Sequence, residues 1–350
     1  MKQHLVTLLL LIPTFGFTAT FSAEQKNILI SAIDKEISSR YVLLENIPAI
    51  RESLQQASQS DAMREANTPQ AIAELLTTVL EPHDKHFGVR WHDPKSSQAR
   101  PSPEGWFTKL GRKNSGFTRV SVLEGNIGYI DFWGFDHVNE KSQKRVEAAM
   151  TLIEDTDAII FDLINNGGGD GNMGQLISSY LFDKPTHLNS IYWKFTDDTT
   201  EFWTLEQING KKKPNTPVYI LTSADTFSAA ESFAYYLKHL KRATIVGETT
   251  KGGAHPIQFL NIDMGFKISI PIAKAVNPIT KGNWEGVGVL PDIKVPRRDA
   301  LNTAYQLSLE QLKKSTQNLE QLKEIHEKLR QLTEKHSHLN NNQTLHLQKK

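Results

Sequence analysis

Three observations predict an α/β fold built on a mostly parallel sheet flanked by helices. Short, continuous apolar runs recur as DAIIFDLI, PVYILTS and ATIVGE, the pattern of strands covered on both faces. Amphipathic helical patterns lie between them, including EKSQKRVEAAMTLIEDT, MGQLISSYLF and SAAESFAYYLKHL. The resulting βαβαβ order is that of parallel strands joined by helical crossovers.

The elements follow in chain order. Residues 1–23 read as a secretory signal: Lys2, an apolar Leu5 to Phe17, then small residues around Ala19 to Ala23. The apolar run is short for a membrane span. Residues 24–92 read as a helical domain. ILISAIDKEISSRYVLL and IAELLTTVL carry apolar residues at helical spacing, and Asn67-Thr68-Pro69 is a capped, proline-led helix start. Residues 93–116, rich in Pro, Ser and Lys, read as a connector. The α/β core spans 117–300. Within it, FLNID and FKISIPI read as a hairpin added to the parallel sheet, turning at Met264-Gly265. Residues 301–350 form a helical, increasingly polar tail.

Of the 350 residues, 39% are hydrophobic and 23% charged, as in a globular protein with a substantial core. The net charge of +1 provides no field to steer nucleic acid or anionic lipid, so neither is expected as a partner. The absence of cysteine excludes disulfides, thiolate metal sites and a thiol nucleophile. An exported chain of this kind fits a bacterial periplasm or the outside medium.

Sites in open α/β sheets lie beyond the carboxyl ends of the strands, and three such ends carry unusual sequence. In PVYILTSADTFSAAESF, Ser228 stands at a helix start. Unpaired amides and the helix dipole favour negative charge there. Ser228 and Glu231 also satisfy a capping box, S-x-x-E, which needs no chemistry. In NNGGGDGNMG, Gly167 to Gly169 let the backbone present its amides to an oxyanion. Gly169, Gly171 and Gly174 also match the dinucleotide pattern G-x-G-x-x-G, but too late after the strand for that fold. In GETTKGGAHP, Lys251 and His255 read by default as surface residues.

A serine nucleophile needs a base. Among 12 histidines, His86 in DKHFGV stands where the helical region turns extended, with His83 and His92 close by. His83, Asp84 and His86 lack a distant third ligand, so no metal is expected. Glu285, in the turn of GNWEGVGVLPD, is placed to orient a histidine or to be a plain loop acid.

Five ordered motifs, DKHFGV, DLINNGGG, TFSAAE, GETTKGGAHP and NWEGVGVLPD, resemble the family of tail-specific (C-terminal processing) proteases, the tricorn core and the interphotoreceptor retinoid-binding protein repeats. The resemblance covers about Glu24 to Pro296. It implies a crotonase-like or ClpP-like core and a peptide or protein substrate, with no cofactor. It further implies Ser228 as nucleophile and the amides of Gly168 and Ala229, with Gly169 adjacent, as the oxyanion hole. The tail-specific branch takes its base from a lysine that is Gly253 here. Lys251 is two residues early and does not inherit the role. His86 and Glu285 match the base and its orienter in the tricorn-like and retinoid-binding-like branches, to which the chain is closer. Departures remain: Lys85 replaces a serine before the histidine, and Ile164 replaces an arginine. No stretch is long enough for a PDZ domain. A second function on the same fold, a periplasmic carrier of an apolar ligand, would leave Ser228 as a cap alone.

Overall fold

The computed structural model describes residues 21–93 and 104–347, with side chains to Glu334. The expected leader therefore falls largely outside the described residues. The described residues begin with the α-helices α1 (Ala23–Arg40), α2 (Ile47–Gln59), α3 (Asp61–Glu65) and α4 (Pro69–Leu80), followed by strand β1 (Gly88–Trp91). The sequence places the start of α4. Thr68 accepts from Ala71 N–H at 3.2 Å, and Pro69 takes a first-turn position where no N–H is needed.

The stretch read as a connector contains helix α5 (Trp106–Arg112). Leu110 on that helix is fully buried, which supplies the apolar anchor that composition alone concealed. The core then runs β2 (Phe117–Leu123), β3 (Ile127–Phe132), α6 (Glu140–Leu152), β4 (Ala158–Asp162), α7 (Gly171–Ser178), β5 (His187–Trp193), β6 (Asp198–Trp203), β7 (Val218–Thr222), α8 (Ala229–His239) and β8 (Thr244–Gly247). Strands β9 (Ile257–Ile262), β10 (Phe266–Pro271), β11 (Ala273–Val276) and β12 (Ile293–Lys294) precede helices α9 (Arg297–Ser315) and α10 (Leu319–Leu347).

The main sheet has the order β12-β8-β7-β4-β3-β2. Every neighbouring pair is parallel except β2 with β3. Both faces are covered, as the continuous apolar runs require. Ile159, Phe161 and Ile220 pack with Val146, Met173 and Phe233 from α6, α7 and α8. Ile160, Tyr219 and Leu221 pack on the other face with Ala304, Leu309 and Ile325 from α9 and α10. The tail is thus the second helical layer of the core.

The hairpin β9–β10 does not extend the parallel sheet. It pairs with β1 instead, in a separate antiparallel sheet. Its apolar residues explain why: Phe266, Ile268 and Ile270 are buried among Ile33, Ile37, Leu76 and Leu80 of the N-terminal helices. Each such side chain contributes about 1.5–3 kcal/mol when removed from water. A third sheet, β11-β5-β6, stands beside α8. No helix among the described residues is long and apolar enough to cross a membrane.

Candidate active site

Ser228 is the last residue before α8, with φ 58° and ψ −119°. A non-glycine residue held there carries strain on the order of 1–3 kcal/mol. The strain is held by Glu231. This fully buried carboxylate accepts from Ser228 N–H (2.8 Å), Thr250 Oγ1 (2.5 Å), Gly252 N–H (2.6 Å) and Gly253 N–H (2.9 Å). The acid anticipated as a helix cap thus ties the serine turn to the GETTKGG loop. Burial raises its pKa, and the four donors oppose that rise. Glu231→Ala would strand these donors, and we expect a loss of about 3–5 kcal/mol in urea unfolding.

The hydroxyl of Ser228 lies 3.2 Å from His86 Nε2. His86 comes from the turn between α4 and β1, 142 residues earlier. Its backbone is fixed by Asp84 Oδ1, which accepts from His86 N–H at 2.9 Å, and its carbonyl accepts from Ser269 Oγ on β10 at 2.8 Å. The ring packs against Phe227 with centroids 4.5 Å apart. Burial lowers the His86 pKa to about 4, with Asp84 opposing and His255 and Lys251 assisting. The ring is therefore neutral near pH 7. Neutral Nε2 facing a hydroxyl accepts its proton, so Nδ1 carries the ring hydrogen.

His86 Nδ1 has no hydrogen-bond partner among the described residues. The carboxylate that faces it is Asp84, with Oδ1 at 3.8 Å. Glu285, expected from the sequence to orient His86, makes no ion pair with it. Its Oε2 accepts from Ala254 N–H at 2.5 Å and lies 3.4 Å from His255 Nδ1. His255 in turn meets Asp84 Oδ2 at 2.5 Å. The surface reading of His255 is therefore corrected: its side chain is 2% exposed and joins the two acids. Burial, then the nearby Asp84 charge, raise the Glu285 pKa to about 7; His255 and the Ala254 and Lys85 amides oppose this. Asp84, His86 and Glu285 bring ligand atoms within 4.8 Å of one another. Within this cluster, the hydrogen bond and the short contact run through His255, to Asp84 and to Glu285.

His83 and His92 are placed elsewhere, with His83 Nε2 on Ser53 Oγ at 2.9 Å and His92 N–H on the Gly265 carbonyl. Lys251 lies over the Phe227 ring at 4.8 Å. A Cβ built on Gly253 would stand 2.7 Å from His86 Cε1 and 2.2 Å from Phe227 Cε2. The imidazole thus occupies the space a side chain at 253 would use. A lysine there and His86 in this position exclude each other.

The Gly168 amide, expected in the oxyanion hole, donates to Asn166 Oδ1 at 2.9 Å and is already engaged. The N–H groups of Gly169 and Ala229 have no acceptor among the described residues. Gly169 sits between two hydrogen bonds to Phe135, Phe135 N–H to Gly168 O and Asp170 N–H to Phe135 O. In a parallel bridge its own N–H must then point away from Phe135. Gly168 packs so closely that a Cβ there would lie 2.8 Å from Ser228 Cβ and 2.9 Å from Ala229 N. Beside Ser228 opens a cleft of about 390 Å³, lined by Gly169, Ala229, His255, Ile191, Phe202 and Trp284.

Residues 126–295 match the family model described as Peptidase family S41. The likeness to that family falls on the α/β core. A carboxyl-terminal-processing protease of Synechocystis sp. is 29% identical over 169 residues, covering 48% of this chain and 37% of that relative. The chain thus spans well under half the length of the curated relative it matches. Among solved structures, a putative peptidase from Parabacteroides merdae shares the fold with a TM-score of 0.59 and 16% identity, over 81% of this chain and 96% of that one. The tricorn protease aligns with a TM-score of 0.50 and 12% identity, over 83% of this chain and 37% of that one. The matched segment therefore contains Ser228, the GGG loop and Glu285, whereas His86 and Asp84 come from the segment before it.

Proposed function

We propose that this protein is an exported serine peptidase acting on peptide or protein chains outside the cytoplasm. The observation that carries the reading is the 3.2 Å contact between Ser228 Oγ and a neutral, buried His86 Nε2, at a strained residue on a helix start. Ser228 Oγ attacks the scissile carbonyl as His86 Nε2 takes its proton. The carbonyl oxygen becomes an oxyanion before the N–H groups of Ala229 and Gly169. His86 then returns the proton to the leaving amine, the C–N bond breaks, and an ester to Ser228 remains. Water, deprotonated by the same ring, hydrolyses that ester.

Asp84 takes the orienting role. It faces the Nδ1 side of His86 and stabilises the imidazolium that forms, while His255 and Glu285 hold Asp84 in place. Burial and the Asp84 charge push the Glu285 pKa up, which favours its uncharged form beside Asp84.

A fluorophosphonate probe tests this reading. Stoichiometric labelling at Ser228, shown by peptide mass mapping, is the expected result. No labelling together with tight binding of a fatty-acid probe would replace the peptidase by a carrier of apolar ligands.

A further inference from the structure

The cleft wall holds a buried amide oxygen without a partner. Asn189 is 5% exposed, yet its Oδ1 has no hydrogen bond among the described residues. Its Nδ2 reaches Ser232 Oγ only at 3.4 Å. Asn189, Ile191 and Trp193 alternate along β5, so they share one face, and all three line the cleft. Phe202 stands directly across from Asn189 on β6, and Ala275 across from Ile191 on β11; both line the same cleft. On the strand side the wall is apolar and aromatic, interrupted by the Asn189 carboxamide; Asp170, Asn172 and Gln175 line the α7 side. A buried acceptor left unpaired costs about 1–3 kcal/mol, a cost a ligand can remove.

The distance from the nucleophile defines that ligand. Ser232 follows Ser228 by one turn of α8, about 6 Å along the helix axis, and Asn189 lies against Ser232. A substrate side chain entering beside the scissile bond must therefore cross apolar walls and present a polar tip about one helical turn further in. Lysine has the reach, but the carboxylate that lines the cleft, Asp170, is already engaged by His137 Nδ1 and the Asn172 N–H, and an unpaired ammonium is costly to bury. Phenylalanine fills the walls and leaves the carboxamide unmet. A phenolic hydroxyl both donates and accepts, so it satisfies Asn189 whichever way the amide is turned.

We infer that this cleft is a specificity pocket for tyrosine next to the scissile bond, with Asn189 as the residue that selects the hydroxyl. The inference rests on Ser228 as the nucleophile of the proposed peptidase.

The test compares matched peptides carrying Tyr, Phe or Leu at the cleaved position, with the wild type, Asn189→Leu and Asn189→Ala. The expected result is a kcat/KM about tenfold higher for Tyr than for Phe. Asn189→Leu should reverse that order while still cleaving the Phe peptide. Equal rates for Tyr and Phe in the wild type, or a Tyr preference surviving both substitutions, would overturn the inference. Calorimetric binding of the same peptides to Ser228→Ala separates the two readings. A Tyr preference in affinity without any wild-type cleavage sinks the peptidase and keeps the pocket. Equal or undetectable affinities sink the pocket.

Discussion

Ser228→Ala is expected to lower kcat for peptide hydrolysis by about 10⁴–10⁶-fold, the loss found when a serine nucleophile is removed. The residual rate reflects the Ala229 and Gly169 amides and substrate binding, which survive the change. Folding should survive as well. Alanine needs the same φ of 58° as serine, and the Ser228 N–H keeps Glu231 as its acceptor. The unfolding free energy should fall by about 1–3 kcal/mol at most, because the buried His86 Nε2 loses its partner. Substrate affinity in the variant should persist, so binding and turnover separate. Undiminished hydrolysis by this variant would remove Ser228 from the chemistry altogether.

The second large effect distinguishes two acids. Asp84→Asn should cost about 10³–10⁴-fold in kcat, because a neutral amide can no longer stabilise the imidazolium and can present its NH₂ to Nδ1. Glu285→Gln should cost only about tenfold, because Glu285 reaches His86 through His255 and Asp84 rather than directly. The opposite ranking would return the orienting role to Glu285.

The pH profile provides an independent check. A base works when neutral, above its pKa. His86 is lowered to about 4 by burial, so activity should persist through pH 5 and fall as pH drops through about 4. Asp84 opposes that lowering, so Asp84→Asn should shift this limb to still lower pH. Glu285 titrates near 7, and its ionisation adds a negative charge beside Asp84. A second inflection near pH 7 should therefore vanish in Glu285→Gln.

The core was legible because its strands are buried on both faces and its helices are amphipathic, both local properties of DAIIFDLI or SAAESFAYYLKHL. Ser228 was legible for the same reason: strand, turn and helix start are contiguous in the chain. The remainder of the site depends on contacts between distant segments. Asp84 and His255 lie 171 positions apart, and nothing in GETTKGGAHP marks the histidine as buried. Gly168 was assigned by resemblance, and only the fold shows that Asn166 already accepts from its amide. The hairpin at Met264-Gly265 was recognised from its turn, but its partner strand was not. Pairing with β1 depends on the apolar face that the N-terminal helices leave open. Asn189 carried no sequence signal, because its importance lies in what surrounds it.

The pairing of β1 with β10 also bears on when the enzyme becomes active. His86 precedes β1 by two residues, and among the described residues the strand partner that holds β1 is Phe266–Pro271. During synthesis the histidine leaves the ribosome about 180 residues before the strand that fixes it, at rates of about 5–20 residues per second. Ser228 likewise waits for Thr250, Gly252 and Gly253 before its turn is held. In the proposed peptidase a nascent chain thus has neither a positioned base nor a positioned nucleophile until β10 has been made. This long-range wiring of the proposed site would delay hydrolysis until that strand has been made.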